Sequence, residues 1–263
     1  MQFYDSWNAI CLFLVSLVII PSLFTLVLWY KKHPESNFIS PLKVMAILLG
    51  LFLFIKWIYV IICLKNENFY SSLPFHFSDF CIFSLLLFCF SVKKNLKRGL
   101  SIEKTSFSFN DLMYYVWILE SFTESVTLLA APKVIYSLPI DSVNDFKRWF
   151  GFFSHYSILV CCIWTLIFRP IKLEFKKTLF PALFIAISTL AVIGATYTIH
   201  CNFNFAGSIK FENDYLALNN DWTNPWWSLL WFIIVIGIFS ASFLILYYTD
   251  RFYLKVKEKV KLN

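Results

Sequence analysis

Between Leu73 and Asp79 the chain reads Leu-Pro-Phe-His-Phe-Ser-Asp, with an imidazole, a hydroxyl and a carboxylate at positions 76, 78 and 79. Farther along stand Glu120, Glu124, His155 and His200, then Asn202 and Asn204. These are the groups of hydrolytic and transfer chemistry. A neutral imidazole takes a proton from a hydroxyl or thiol, a carboxylate orients that imidazole, and polar side chains donate hydrogen bonds to a developing oxyanion. Three histidines with an acid nearby are also a donor set for zinc. The elements that carry these residues decide which chemistry they can perform.

Of the 263 residues, 59% are hydrophobic and 15% are charged. A soluble domain of this size needs about 25% charged residues to cover its surface, so the missing polar surface must face lipid. Six of the seven cysteines (Cys11, Cys63, Cys81, Cys89, Cys161 and Cys162, with Cys201 apart) fall in apolar stretches, where a thiol behaves as a small hydrophobe. No CxxC pair marks a disulfide framework or a zinc finger. A cleaved leader is not expected: residues 1–7 lack Lys and Arg, and the first apolar stretch is too long.

A bilayer core of ~30 Å needs about 20 apolar residues in helical form. Such runs occupy 8–30, 44–64, 75–92, 112–131, 149–168, 178–199 and 227–248. The expected fold is therefore all-α, one domain over 1–263 built as a bundle of seven transmembrane helices. Cytoplasmic loops retain Lys and Arg. The segments 31–43, 93–111, 169–177 and the tail after 248 hold seventeen of the 23 basic residues, and the opposite side holds five. That places the N-terminus outside and the C-terminus in the cytoplasm. The net charge of +7 is thereby a topology signal, and no nucleic-acid partner is expected.

This topology gathers the reactive residues. His76, Ser78 and Asp79 open the third run from outside, His155 lies one to two turns below the same surface, and His200, Asn202 and Asn204 follow the sixth run there. Glu124 sits in the outer half of the fourth run, with Glu120 near its middle. Ionisable groups in a bilayer are costly and turn towards a protein or water-filled interior, so a polar cavity open to the outside is expected. The plainer alternative is that each group caps a helix end or bonds to a neighbour. Lys56, near the middle of the second run, needs a carboxylate partner, and Glu120 at similar depth is the natural one. Tyr70, Trp149, Trp222, Trp226 and Trp227 read chiefly as an interfacial belt.

The stretch Leu73–Asp79 resembles the L-P-L-H-L-C-[DS] signature of the bacterial YwaF family, which also includes transmembrane protein 164. Leu128-Leu129-Ala130-Ala131-Pro132 is similar to that family's L-L-T-P, Phe152-Phe153-Ser154-His155 to its F-x-H-H, and Asn202-Phe203-Asn204-Phe205 to its N-Y-x-F-L. Asn224-Pro225-Trp226-Trp227 resembles its G-P-W-[PW]. The resemblance runs from about residue 70 to the end of the seventh run. It implies seven helices and, from the eukaryotic member, phospholipid acyl transfer by a Cys nucleophile assisted by a His. In this chain the Cys position falls on Ser78 and the His position on His155. The androgen-induced membrane hydrolases, which look like distant relatives, work with a Thr and His pair.

The leading expectation is thus a membrane-embedded acyltransferase or lipid esterase near the outer leaflet, acting on a membrane phospholipid or a lipidated protein without a cofactor. Ser78 and His155 form its dyad, His76 or Asn202 supplies the oxyanion donor, and Glu124 orients His155. Asn202, Asn204 and Trp226 are substrate-binding candidates, and Cys81, one turn deeper than Ser78, is the reserve nucleophile. One alternative is a ceramidase-like hydrolase with zinc on His76, His155 and His200. Another is a small-solute transporter or membrane binding subunit using Lys56, Glu120 and Glu124. Abundant Phe, Lys, Asn and Ile fit an AT-rich genome and a bacterial plasma membrane. The oligomeric state stays open, because lipid-facing and partner-facing helix surfaces are both apolar.

Overall fold

The computed structural model describes residues 39–63, 76–91, 108–130, 146–168, 173–199, 210–212, 215–217 and 225–262, with seven helical residues between 21 and 32. The first apolar run, 8–30, lies largely outside the described residues. The other six runs are helices: α1 Ile39–Cys63, α2 Phe77–Ser91, α3 Phe109–Ala130, α4 Phe146–Phe168, α5 Leu179–Ile199 and α6 Pro225–Leu262. A single 3-10 turn, Phe175–Lys177, leads into α5. A small antiparallel pair, β1 Lys210–Glu212 with β2 Tyr215–Ala217, stands between α5 and α6 and sets Phe211 opposite Leu216. Hydropathy gave no sign of it, because segments of three residues are too short to show alternation.

Local chemistry sets the helix ends. Ser108 precedes α3 and forms a capping box with Asp111: Asp111 N–H donates to Ser108 Oγ at 3.3 Å, and Ser108 N–H donates to Asp111 Oδ2 at 2.9 Å. Pro181 in the first turn of α5 and Pro225 at the first position of α6 stand where the missing N–H costs nothing. α6 runs 38 residues, well past the apolar run that ends at 248. Hydropathy marks a span, whereas Lys-rich sequence without Gly or Pro continues the helix beyond it.

Among the described residues three segments are long and apolar enough to cross a membrane: Ile39–Tyr59, Phe175–Thr198 and Ser228–Tyr253. α2 and Phe153–Phe168 are apolar but shorter. The 15 residues of α2 rise only ~22 Å, less than a bilayer core.

The bundle is apolar outside and holds a set of polar groups within its apolar core. Val44, Leu51 and Phe54 of α1, Leu183 and Ile187 of α5, and Ile233 and Ile245 of α6 are all exposed. Lys56, Asp79, Ser84, Glu120, Thr165, Thr189 and Ser242 are buried. The buried face of α1 is Ile39, Leu42, Ala46, Leu49, Leu53 and Lys56, alternating steps of three and four along one narrow seam. α3 is the central helix, every residue from Met113 to Ser121 being buried, and it packs on α2, α4, α5 and α6.

Lipid is as apolar as Leu, so close packing and interhelical hydrogen bonds must hold such a bundle. Trp117 Nε1 donates to Thr165 Oγ1 at 3.2 Å, joining α3 to α4. Thr123 and Ser242 share a bond of 2.9 Å between α3 and α6, and Tyr197 and Ser228 one of 2.7 Å between α5 and α6. Where α1 meets α2, a Cβ on Gly50 would stand 3.1 Å from Leu86 Cδ1. Gly50→Ala needs only a small shift of a flexible side chain. Gly50→Ile is expected to wedge the helices apart and cost about 1–3 kcal/mol, measurable as a lower unfolding midpoint in detergent.

Candidate active site

The carbonyl of His76 accepts the N–H groups of Asp79 at 2.9 Å and Phe80 at 3.2 Å. His76 therefore sits at the mouth of α2, and Ser78 and Asp79 fill its first turn. Both His76 and Ser78 are half-buried, and Asp79 is buried. Helical geometry then assigns directions around α2. At roughly 100° per residue, Asp79 and Leu86 share a side, and both meet α1, through Lys56 and Gly50. On the other side, Ser84 Oγ donates to Glu120 Oε2 on α3 at 3.0 Å. Ser78 lies between these directions, on the arc of Cys81 and Cys89. Those two thiols neighbour Cys162 and Cys161 of α4, so this arc is turned towards α4.

His155 is on α4, two turns from Cys162 on the same face, and its Nδ1 contacts Glu124 Oε1 of α3 as an ion-pair partner. The two groups approach closely, but the contact is not aligned as a hydrogen bond. The two side chains are 15% and 14% exposed. They are held between helices yet still reachable from the surface. With Nδ1 turned to the carboxylate, Nε2 is the nitrogen left to act as a base.

The structure thus brings together His155 and Glu124, and it sets Ser78 on the side of α2 that faces α4. No hydrogen bond joins Ser78 to His155 among the described residues. Cys81 is fully buried, among Glu120, Glu124, Cys162 and Asp79. A thiol so enclosed has the character of an inert structural cysteine. Trp226, the second residue of α6, is 76% exposed, on the outside of the bundle. Asn202, Asn204 and His200 lie outside the described residues. Among the described residues no group of three or more His, Cys, Asp or Glu side chains can hold a metal ion.

One expected pairing is corrected. Lys56 does not face Glu120. Its Nζ lies 3.6 Å from Asp79 Oδ1, with the side chains 11% and 2% exposed. Depth along the helices gave the height of Lys56 but not its direction, and α2 stands between α1 and the Glu120 side of α3. Ser84 as the partner of Glu120 was equally hidden, because a lone Ser in an apolar run carries no signal of what it meets.

No family model matches the chain, and no curated protein or solved structure is significantly similar to it.

Proposed function

We propose that the chain is a seven-span membrane acyltransferase or acyl-ester hydrolase with its N-terminus outside, acting on lipid esters near the outer leaflet. The contact of His155 Nδ1 with Glu124 carries this reading. It is the base-and-orienter half of a nucleophilic triad, set inside an apolar bundle. The order of motifs around Ser78 and His155 supports it further, as does the 17-to-five split of basic residues.

The reaction proceeds in two halves. Nε2 of His155 takes the proton of Ser78 as Oγ attacks the ester carbonyl. The tetrahedral intermediate collapses, the C–O bond to the leaving alcohol breaks, and that alcohol takes the proton from His155. An acyl-Ser78 and a lyso-lipid result. In the second half water or an acceptor alcohol loses its proton to His155 as it attacks the acyl carbonyl; the bond to Ser78 Oγ then breaks, Oγ takes that proton from His155, and acid or new ester leaves. Catalytic hydrogen bonds are often loose without substrate and tighten in the Michaelis complex.

The test uses purified protein in lipid nanodiscs with a fluorophosphonate probe and a phospholipid carrying a labelled acyl chain. Covalent labelling is expected at Ser78 and absent in Ser78→Ala. His155→Ala is expected to slow acylation by about 10²–10⁴-fold. Full activity in both variants overturns the reading.

A solute pathway is the second reading, favoured by the burial of Lys56, Asp79 and Glu120 at 9%, 1% and 3% exposure. Solute flux into liposomes that is lost in Glu120→Gln, without acyl chemistry at Ser78, would establish it instead.

A further inference from the structure

Lys56 ends a seam in which every other position, from Ile39 to Leu53, is apolar. A charge there is costly unless it does something that Leu or Met cannot. It meets Asp79, the residue after Ser78, in the first turn of α2. At 3.6 Å the pair is a charge contact, too long for a direct hydrogen bond. Asp79 Oδ2 is buried with no hydrogen-bond partner, so no hydrogen bond of that oxygen fixes the turn from elsewhere.

Four contacts define the side of α2 turned to α1: Lys56 with Asp79, Trp57 with Phe83 at 6.0 Å between ring centroids, Gly50 with Leu86, and Lys43 over the Phe90 ring at 5.9 Å. Leu86 against Gly50 is a close apolar approach that sets how near the helices lie. Such a contact tolerates rotation and sliding. The Lys56–Asp79 pair, almost two turns nearer the start of α2 and one turn before Phe83, is the contact among these that holds the first turn itself. Asp79 and Ser78 are neighbours about 100° apart, so turning Asp79 towards α1 turns Ser78 towards α4 and His155. The negative charge also suits the positive end of the helix.

We infer that Lys56 is a positioning residue for the proposed reaction: through Asp79 it sets the rotation of the first turn of α2 and so aims Ser78 at His155. The inference rests on the acyl-transfer reading above. It concerns the alignment of the nucleophile, and neither residue touches the reacting atoms.

The experiment compares wild type, Lys56→Met, Asp79→Leu and the double variant K56M/D79L in nanodiscs. Melting temperature, the rate of fluorophosphonate labelling at Ser78, and kcat and KM on a phospholipid ester are measured for each. Each single variant removes one charge of the buried pair and is expected to lower the melting temperature. The double variant removes both charges and is expected to regain it. Labelling of Ser78 in the double variant is nevertheless expected to stay slow, by about 10²-fold, with kcat reduced and KM little changed.

Wild-type labelling in a refolded, stable double variant overturns the inference and leaves the acyl-transfer reading intact. Absence of labelling at Ser78 in the wild type overturns that reading, and the inference with it. If the double variant does not fold, Lys56→Arg and Asp79→Glu decide, since they keep both charges and change only reach. Slower labelling at an unchanged melting temperature supports positioning, and wild-type rates in both overturn it.

Discussion

Glu124→Gln is expected to lower the rate of Ser78 acylation by about 10²–10⁴-fold while leaving the bundle folded. Glutamine keeps the size and one acceptor oxygen of glutamate but loses the charge. Glu124 meets His155 at Nδ1, and two consequences follow. In the proposed mechanism the carboxylate stabilises the imidazolium formed when Nε2 takes the Ser78 proton, and the amide cannot. Once the contact aligns in the Michaelis complex, the carboxylate also selects the tautomer with its proton on Nδ1. An amide can present its NH₂ group instead, placing the proton on Nε2 and removing the base. Labelling kinetics with the fluorophosphonate probe measure the first half-reaction alone, so a slow acceptor step does not mask the effect. Equal rates in wild type and Glu124→Gln would show that the contact is structural.

Trp117→Ala is expected to be the most destabilising single substitution in the core, at about 3–5 kcal/mol. Trp117 is the largest fully buried side chain among the described residues, on a helix buried on all sides at that level. Its loss opens a cavity between α3 and α4 and leaves Thr165 Oγ1 without the indole donor at 3.2 Å. Thr165 Oγ1 still donates to the Cys161 carbonyl at 2.7 Å, so the cavity should account for most of the cost. In a bundle held by packing rather than by exclusion of water, that loss has no compensation. Unfolding of the purified protein in mixed micelles measures it. Trp117→Phe, which keeps most of the ring volume, should recover a large part.

The apolar runs, the lipid-facing composition and the helical class were legible in the sequence because each depends on residue type summed over some twenty positions. Averages of that kind survive without knowledge of neighbours. The centres of the six described runs were found for the same reason. Their ends were not always found, as the continuation of α6 to Leu262 shows, because a helix outlasts its apolar segment.

The chemistry of the site divides along the same line. Sequence alone singled out Ser78, His155 and Glu124, and the expected topology assigns each of them only a height along the bilayer normal. Height is one coordinate of three. The direction in which each side chain points about its helix axis depends on which helices become neighbours. No local signal encodes that. Only the tertiary structure shows Lys56 turned to Asp79, Ser84 turned to Glu120 and Cys81 sealed in the interior. It also shows Glu124 of one helix against His155 of the next. The physical reason is that apolar faces direct soluble helices inward, whereas in lipid the outer and inner faces of a helix are both apolar, so hydropathy says little about the partner within.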